Sequence, residues 1–560
     1  MYDIVFINPP NHCKEDYIPL GLRNLYTIIT DAGYHADFID LQKKFIIGEL
    51  GFTADSREKI DTIISQIEAK IVAFTVWNTS FPWVIHMCEF IKKLNPRITT
   101  IIGGPLSTLA SEQILNDYDC IDIACRFEGE MIIQPLVNAV LSRGITRMET
   151  ILNIAYRTPE GAVHSTKDAP LIDNLDTLPT IDVNPVDFKS PVINLEAGRG
   201  CSFHCYYCSS CVLWKFKPRY KSGARLFSEI NHLCTLYKNA GLNPPVFHLE
   251  HDNFLMKPSV LVEFDKHVQE TGLEFKYGFA GRADLITEKN LTLLKRTGCF
   301  YAYLGIETGS ERMQKIIRKN LSINTVFSAV RNIQNHGILV NANLMYGFPE
   351  ETLDDLYDTL SLITTLRYMG VTVRISMLGP ELKTPVCEAA LLSDYLFNDA
   401  SPYVTELTLC GFKPEEYNKI YVNHLYTLKN SHYDILLYNK FIQFWHTLVS
   451  DYPMTVNAFM QHPDFDWNLL FTRWNDRIKT KDAPETPPDQ GSDLFTLFME
   501  YPRQNAKEVE ITRIEHHLAV KKQRPNSPDL SREHMLEYYR HYSHVRENTL
   551  EKLDAYAITG

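Results

Sequence analysis

The chain has 560 residues, 45% of them hydrophobic and 22% charged, and a formal net charge of −12. This composition excludes a disordered or collagenous chain, and the acidic balance argues against general nucleic-acid binding, which needs a basic surface. The length corresponds to roughly three to four domains, and no run of about 18 apolar residues predicts a membrane-spanning helix. The opening run 2–7 lacks a basic flank and reads as a strand, not a secretory leader, so a cytoplasmic chain is expected.

From residue 1 to about 145, strand-like runs at 4–7, 36–39, 71–76, 98–102 and 120–124 alternate with helix-like stretches. In 81–94, Phe81, Val84, Ile85, Cys88, Ile91 and Leu94 recur at helical spacing, and Leu22, Leu25, Tyr26, Ile29 and Ala32 do the same in 20–32. Five strand-then-helix units predict a Rossmann-like, doubly wound parallel sheet. Ligands of such sheets sit beyond the strands' carboxyl ends. Residues 146–190, rich in Pro, Asp, Thr and Asn, read as a linker.

A second alternating series predicts strands at 192–196, 246–250, 275–279, 301–306, 340–346 and 371–377. Six units predict a partial (β/α)6 barrel over 191–390, with chemistry at the strands' carboxyl ends. Residues 391–560 read as a mostly helical domain that caps the barrel and selects substrate. Its aromatic-rich segments 417–428 and 433–449 precede a polar break at 479–488, and further helices end at 531–556.

The most informative segment follows the first strand of the second series: Gly198-Arg199-Gly200-Cys201-Ser202-Phe203-His204-Cys205-Tyr206-Tyr207-Cys208. Three thiolates in one short loop can hold three irons of a [4Fe–4S] cluster. The fourth iron is then free to chelate a small molecule. Gly198 and Gly200 allow a tight turn around a bulky group. Cys211 keeps a second arrangement open, a closed four-thiolate zinc or ferredoxin-like site built from Cys201, Cys205, Cys208 and Cys211. Zinc more often uses two separated cysteine pairs. The other eight cysteines are scattered, and Cys299, Cys387 and Cys410 are too dispersed for a second cluster.

The C-x3-C-x2-C spacing, with an aromatic residue before the last cysteine, resembles the radical S-adenosylmethionine superfamily. Three further segments resemble its cobalamin-linked branch: Gly281-Arg282-Ala283-Asp284, Gly305-Ile306-Glu307-Thr308-Gly309, and Tyr346-Gly347-Phe348-Pro349-Glu350-Glu351-Thr352. So do Asn8-Pro9-Pro10, Pro19-Leu20-Gly21, Gly103-Gly104-Pro105 and Glu128-Gly129-Glu130. Together the two resemblances cover nearly all of 1–377.

The resemblance implies Cys201, Cys205 and Cys208 as cluster ligands and the backbone at Tyr207 beside the adenine. It implies Glu250 or Asp252, in His248-Leu249-Glu250-His251-Asp252-Asn253, at the cofactor's ammonium; this segment departs from the family's Gly-Gly-Glu form. Arg282 and Glu307 would lie near its methionine or ribose part, against the alternative of structural ion pairs. It implies cobalamin on residues 1–145, touching Pro10, Leu20, Ser80, Gly103, Gly104, Glu128 and Gly129. The Asp-x-His-x-x-Gly signature of many cobalamin proteins is absent. His12 stands at the right strand end in different surroundings, which leaves the lower cobalt face unassigned.

The function implied is a cobalamin-dependent radical enzyme. It cleaves S-adenosylmethionine reductively to a 5′-deoxyadenosyl radical and C-methylates a peptide or secondary metabolite. The electron donor would be a flavodoxin or ferredoxin. The alternatives are rearrangement, cyclisation or redox chemistry without methyl transfer, a radical enzyme with a degenerate first domain, and a non-catalytic iron–sulfur or zinc protein. Other features read as structural: a Tyr417, Tyr421, Tyr426 stripe as core packing, His516-His517 and the Glu533, Glu537, Arg540 spacing as exposed helix faces, and 521–524 as a short basic run.

Overall fold

The structure, a computed structural model, describes residues 1–480 apart from 12–16, 146–147, 181–182, 184–191, 400, 415–416, 418–424, 452 and 461–464. His12, Tyr421, the 479–488 break beyond residue 480, His516-His517 and the 521–556 features therefore lie outside the described residues.

The first sheet contains β1 (Tyr2–Asn8), β2 (Ala36–Asp40), β3 (Ala69–Thr75), β4 (Thr99–Gly103) and β5 (Ile123–Cys125), followed by β6 (Ile154–Arg157) and β7 (Val163–Ser165). Its order is β2-β1-β3-β4-β5-β6-β7. The first five strands are parallel. Side-chain alternation explains the double winding. Ile4 and Phe6 pack into the core that holds helix residues Leu22, Ile29 and Leu136, while Val5 and Ile7 pack into the opposite core with Ile60, Trp83 and Ile114. Both faces are covered, so the central strands β1, β3 and β4 are buried over most of their length, while the edge strand β2 is only half-buried.

The stretch read as a linker is in part an extension of this sheet. β6 pairs antiparallel with β5, and β7 with β6. These are short strands joined by the Glu160-Gly161 turn region, and too few residues alternate in them to announce a strand.

The second sheet contains β8 (Val192–Glu196), then β11 (Val246–Glu250), β12 (Lys276–Gly281), β13 (Cys299–Glu307), β14 (Leu339–Tyr346) and β15 (Thr372–Met377), all parallel and in the order β15-β14-β13-β12-β11-β8. β9 (Gly198–Arg199) and β10 (Arg219–Tyr220) form a separate two-residue ladder beside the cysteine loop. In β13 and β14 alternate residues Ala302, Leu304, Ile306 and Val340, Ala342, Leu344 are buried against the outer helices. The intervening residues Tyr301, Tyr303, Asn341 and Asn343 remain half-buried on the interior face. The sheet therefore curves around an accessible lumen, as a six-stranded partial barrel does.

The described residues beyond the barrel are mostly helical, as expected, with one short strand pair among them. Tyr426 lies in β17 (Tyr426–Leu428), which pairs antiparallel with β16 (Tyr395–Phe397). The helical spacing of the aromatic stripe was therefore misleading at its last member. Helix Ile435–Asp451 carries Phe441, Trp445 and Leu448 into the barrel core. His446 Nε2 lies 3.0 Å from the Val373 carbonyl of edge strand β15. This helix thus shields the open sheet edge from the side, and its first turns also reach the carboxyl end of β14, where Ile435 stands against Gly347 and Asn439 accepts from the Tyr346 hydroxyl. Among the described residues no helix is long and apolar enough to cross a membrane.

Candidate active site

The cysteine loop leaves β9 under tight steric constraint. Gly200 has φ +91°, and a Cβ there would lie 2.5 Å from the Lys217 carbonyl oxygen; one on Gly198 would lie 2.3 Å from the Arg219 carbonyl oxygen. The Gly200 N–H donates to Asp252 Oδ2 (2.7 Å), which ties the loop to the end of β11. Further along, the Tyr206 N–H donates to the Ile317 carbonyl (2.9 Å) and its hydroxyl to Glu350 Oε1 (2.9 Å). His204 stacks on Phe216 with centroids 4.2 Å apart.

Cys201, Cys205 and Cys208 are free thiols on this loop. Burial pushes the Cys208 thiol up to about 12 and raises that of Cys201. Thiolates here need a cation beside them, and iron supplies one. Cys211 differs: it is buried, and its Sγ–H donates to the Cys208 carbonyl (3.2 Å) from a short helix, Ser210–Leu213. Among the described residues no three His, Cys, Asp or Glu side chains converge on a point suited to one metal ion. A cubane places each thiolate on a different iron, so the donor set fits a three-thiolate cluster.

Around this loop the barrel rim carries polar atoms without protein partners. Both side-chain polar atoms of buried Asn253 and the Nη1 of buried Arg282 are unpaired. Glu250, half-buried at the end of β11, is pushed up to about 7 by burial and then by the neighbouring Asp252 charge. Asp252 itself is occupied by the Gly200 N–H, so the two carboxylates of the sequence motif have different surroundings. His251 is held neutral by burial, with its pKa lowered to about 4, and stacks on Tyr220 at 4.3 Å.

Arg282 forms an ion pair with Asp284 (Nη2–Oδ2 2.9 Å), donates to the Lys319 carbonyl (2.7 Å), and lies 3.9 Å from the Phe203 ring centroid. Both readings of this residue are thus visible: a structural pair on one edge and an unpaired Nη1 on the other. Glu307 closes β13 at φ 75°, a conformation costing ~1–3 kcal/mol for a non-glycine residue. Lys319 Nζ donates to its Oε1 (2.8 Å). Burial raises the Tyr207 hydroxyl well above its usual range, followed by the effect of the Glu307 charge. Glu307 therefore belongs to a Lys319–Glu307–Tyr207 cluster beneath the cysteine loop.

Glu351 sits in a separate buried set. Its Oε2 accepts from the Gly347 N–H (2.6 Å) and the Tyr433 hydroxyl (2.5 Å), while Oε1 has no partner. Burial pushes its pKa from 4.5 to about 7. A carboxyl raised in the folded state stabilises fully below its unfolded pKa, and this contribution is lost as pH rises through the folded value. Glu351→Gln is therefore expected to flatten the stability profile between pH 4.5 and 7; urea melts at several pH values check this, and an unchanged slope would show that the carboxyl does not titrate there.

The carboxyl edge of the first sheet faces the carboxyl edge of the barrel. Asn78, after β3, donates to Glu381 beyond β15 (Nδ2–Oε2 3.1 Å), and the Tyr403 hydroxyl donates to the Thr79 carbonyl. The β1–helix loop enters the barrel core through Ile18, whose N–H donates to Asn194 Oδ1 of β8 (3.0 Å).

The residues expected on this edge are brought together, but several are committed to the protein itself. Pro10 is buried, and Leu20 packs against the barrel core. Ser80 is fully buried, accepting from the Trp77 N–H (2.9 Å) and donating to its carbonyl (3.2 Å). Gly104 at φ +99° would place a Cβ 2.9 Å from Thr75 Oγ1, so its need for glycine is explained by its own sheet; Gly103 and Gly129 sit against Cys125 and Leu25. Glu128 is buried between Arg199 and Arg219.

Three large apolar side chains, Tyr17, Trp77 and Met131, are exposed on the segments that follow β1, β3 and β5.

A fold of this kind, with a three-cysteine loop after the first barrel strand, defines a radical S-adenosylmethionine enzyme joined to a cobalamin-binding domain. Residues 11–137 match the B12 binding domain and residues 195–363 the radical SAM superfamily, and the chain belongs to the cobalamin-binding-domain radical S-adenosylmethionine family. Its cofactors are accordingly a [4Fe–4S] cluster, S-adenosylmethionine and cobalamin.

The chain is 27% identical over 354 residues to an uncharacterized methyltransferase of Pyrococcus horikoshii, covering 62% of this chain and 73% of that protein. It is 26% identical over 317 residues to an anaerobic magnesium-protoporphyrin IX monomethyl ester cyclase of Rubrivivax gelatinosus, covering 55% of each. Among solved structures it resembles the cobalamin-dependent S-adenosylmethionine radical enzyme OxsB with aqua-cobalamin and S-adenosylmethionine bound. There the TM-score is 0.60, with 15% identity over 99% of this chain and 80% of the other, a likeness of fold.

Proposed function

We propose that this enzyme C-methylates a polar peptide or small secondary metabolite. The observation that carries the reading is the apposition of the two carboxyl edges, since methyl transfer from cobalt requires both cofactors to reach one substrate carbon. When bound, the cluster and S-adenosylmethionine supply a 5′-deoxyadenosyl radical, and methylcobalamin supplies the methyl group.

The chain's own residues place and shield these groups. Cys201, Cys205 and Cys208 hold the cluster. Glu250 meets the ammonium of S-adenosylmethionine, which favours the ionised carboxylate over the protonated one. Arg282 Nη1 and the Asn253 amide offer unpaired polar atoms to its carboxylate and ribose, and the backbone at Tyr207 approaches the adenine. Trp77, Met131 and Tyr17, with Leu20, Gly103, Gly104 and Gly129 around them, form the corrin-facing edge.

The lumen supports a polar substrate. By strand register Tyr303 lies beside Asn341, and Asn343 beside Arg374, all on the interior face. A hydrocarbon there would leave the Asn341 and Asn343 amides poorly satisfied. Residues 391–560 are proposed as a domain that adds to substrate selection, with a flavodoxin or ferredoxin as electron donor and the cytoplasm as setting.

The test is anaerobic turnover of the holoenzyme with candidate substrates. Methylation yields one S-adenosylhomocysteine for each methylated product, in addition to 5′-deoxyadenosine. A second reading, cyclisation or rearrangement, draws on the likeness to the cyclase. Substrate-dependent 5′-deoxyadenosine without S-adenosylhomocysteine would establish it and remove methyl transfer.

A further inference from the structure

A buried charge network joins the first domain to the cluster loop. Arg199, two residues before Cys201, donates from Nη1 to Glu128 Oε1 (2.7 Å), from Nη2 to Glu130 Oε1 (2.6 Å) and from Nε to Glu196 Oε1 (2.6 Å). Arg219 donates from Nη1 to the same Glu128 oxygen (2.7 Å) and to the Ile172 carbonyl (2.7 Å). The Ile172 N–H returns a bond to Glu128 Oε2 (2.7 Å). Arg199 and Arg219 are direct partners across the β9–β10 ladder, and both guanidinium carbons lie 5.6 Å from the Trp214 ring centroid.

No side chain of these five ionised residues is more than 13% exposed. Burial alone would raise Glu130, yet the Arg199 guanidinium holds its carboxyl below the ordinary range. Buried ion groups of this kind are weak devices for stability and better suited to fixing register. Planar, multiply bonded arginines fix direction as well as distance. Glu128 and Glu130 follow β5 on the cobalamin-binding edge, so their position is set by the first sheet. Arg199 and Arg219 are set by the ladder that launches the cysteine loop.

We propose that Glu128 and Glu130 are positioning residues that act through Arg199 and Arg219 to hold the cobalamin edge and the cluster loop in one fixed relation. Glu128 thereby serves the cofactor pair without touching either member. The consequence for chemistry is large, because a misplacement of ~1 Å between reacting groups costs ~100-fold. The inference rests on the presence of both cofactors and is independent of methyl transfer.

The test uses holoenzyme with the cluster reduced and the cobalamin as cob(II)alamin, so that both centres are paramagnetic. The acceleration of cob(II)alamin spin relaxation by the cluster reports their separation. Glu128→Gln and Glu130→Gln are expected to retain full iron and cobalamin content, while this acceleration falls by at least half and becomes heterogeneous. Glu229→Gln provides the control. It breaks an equally buried pair with Lys221 (2.8 Å) that lies wholly within the barrel, and should leave the spin interaction unchanged.

Wild-type relaxation in both test variants would overturn the proposal. So would an equal loss in Glu229→Gln, which would mark a general structural effect. Loss of cobalamin from Glu128→Gln with an unchanged cluster signal would overturn it as well, since Glu128 would then serve the corrin directly. Should Glu128→Gln fail to fold, Glu130→Gln, which removes one contact of Arg199 alone, decides the matter.

Discussion

Alanine at Cys201, Cys205 or Cys208 is expected to abolish 5′-deoxyadenosine formation, to the level of protein-free controls, whereas Cys211→Ala should retain both the cluster and the activity. The first three thiols are free, and none is tied up in a disulfide. In the proposed arrangement each would be the sole protein anchor of one iron, so its loss would expose the cluster to solvent and decay. The Cys211 thiol is spent on the Cys208 carbonyl. Iron and sulfide content per chain, measured with 5′-deoxyadenosine after anaerobic reconstitution, checks both halves. A Cys211→Ala protein that loses its cluster would make that residue a fourth ligand and close the iron on which the chemistry depends.

Gly200→Ala is expected to have nearly as large an effect through backbone geometry alone. A left-handed conformation costs an alanine ~1–2 kcal/mol relative to glycine. The new Cβ would also stand 2.5 Å from the Lys217 carbonyl oxygen and 3.0 Å from Trp214 Cβ. One of these is backbone, so the loop must shift. That shift breaks the Gly200 N–H bond to Asp252 and moves Cys201. The expected result is a folded protein with a lowered melting temperature and less than half the iron of the wild type. Full iron content at an unchanged melting temperature would mean that the loop tolerates a different path.

What the sequence disclosed follows from the range of the interactions involved. The cysteine loop was legible because ligand spacing and glycine placement are local. The two alternating series were legible because each strand is apolar throughout or on alternate positions. The β6–β7 extension was not, since its strands are short and owe their form to pairing with β5. Tyr426 packs in the core as read, but from a strand paired with Phe397, where aromatic spacing had suggested a helix.

Polar residues on the first sheet's edge were assigned through the resemblance, and the structure shows the local demands on them. Ser80 caps its own turn, and Glu128 answers Arg199 from 71 residues away. No spacing rule could have announced that pair. The same holds for Lys319 beneath Glu307 and for the unpaired Asn253 amide, whose meaning depends on neighbours brought together by the barrel.

The central claim is that three sulfur ligands leave one iron able to take S-adenosylmethionine. The most direct measurement is the electron paramagnetic resonance spectrum of the reduced, reconstituted enzyme with and without S-adenosylmethionine. The account predicts a changed cluster signal on addition, followed by methionine and 5′-deoxyadenosine as the sample turns over. An identical spectrum and no 5′-deoxyadenosine from an intact cluster would contradict it.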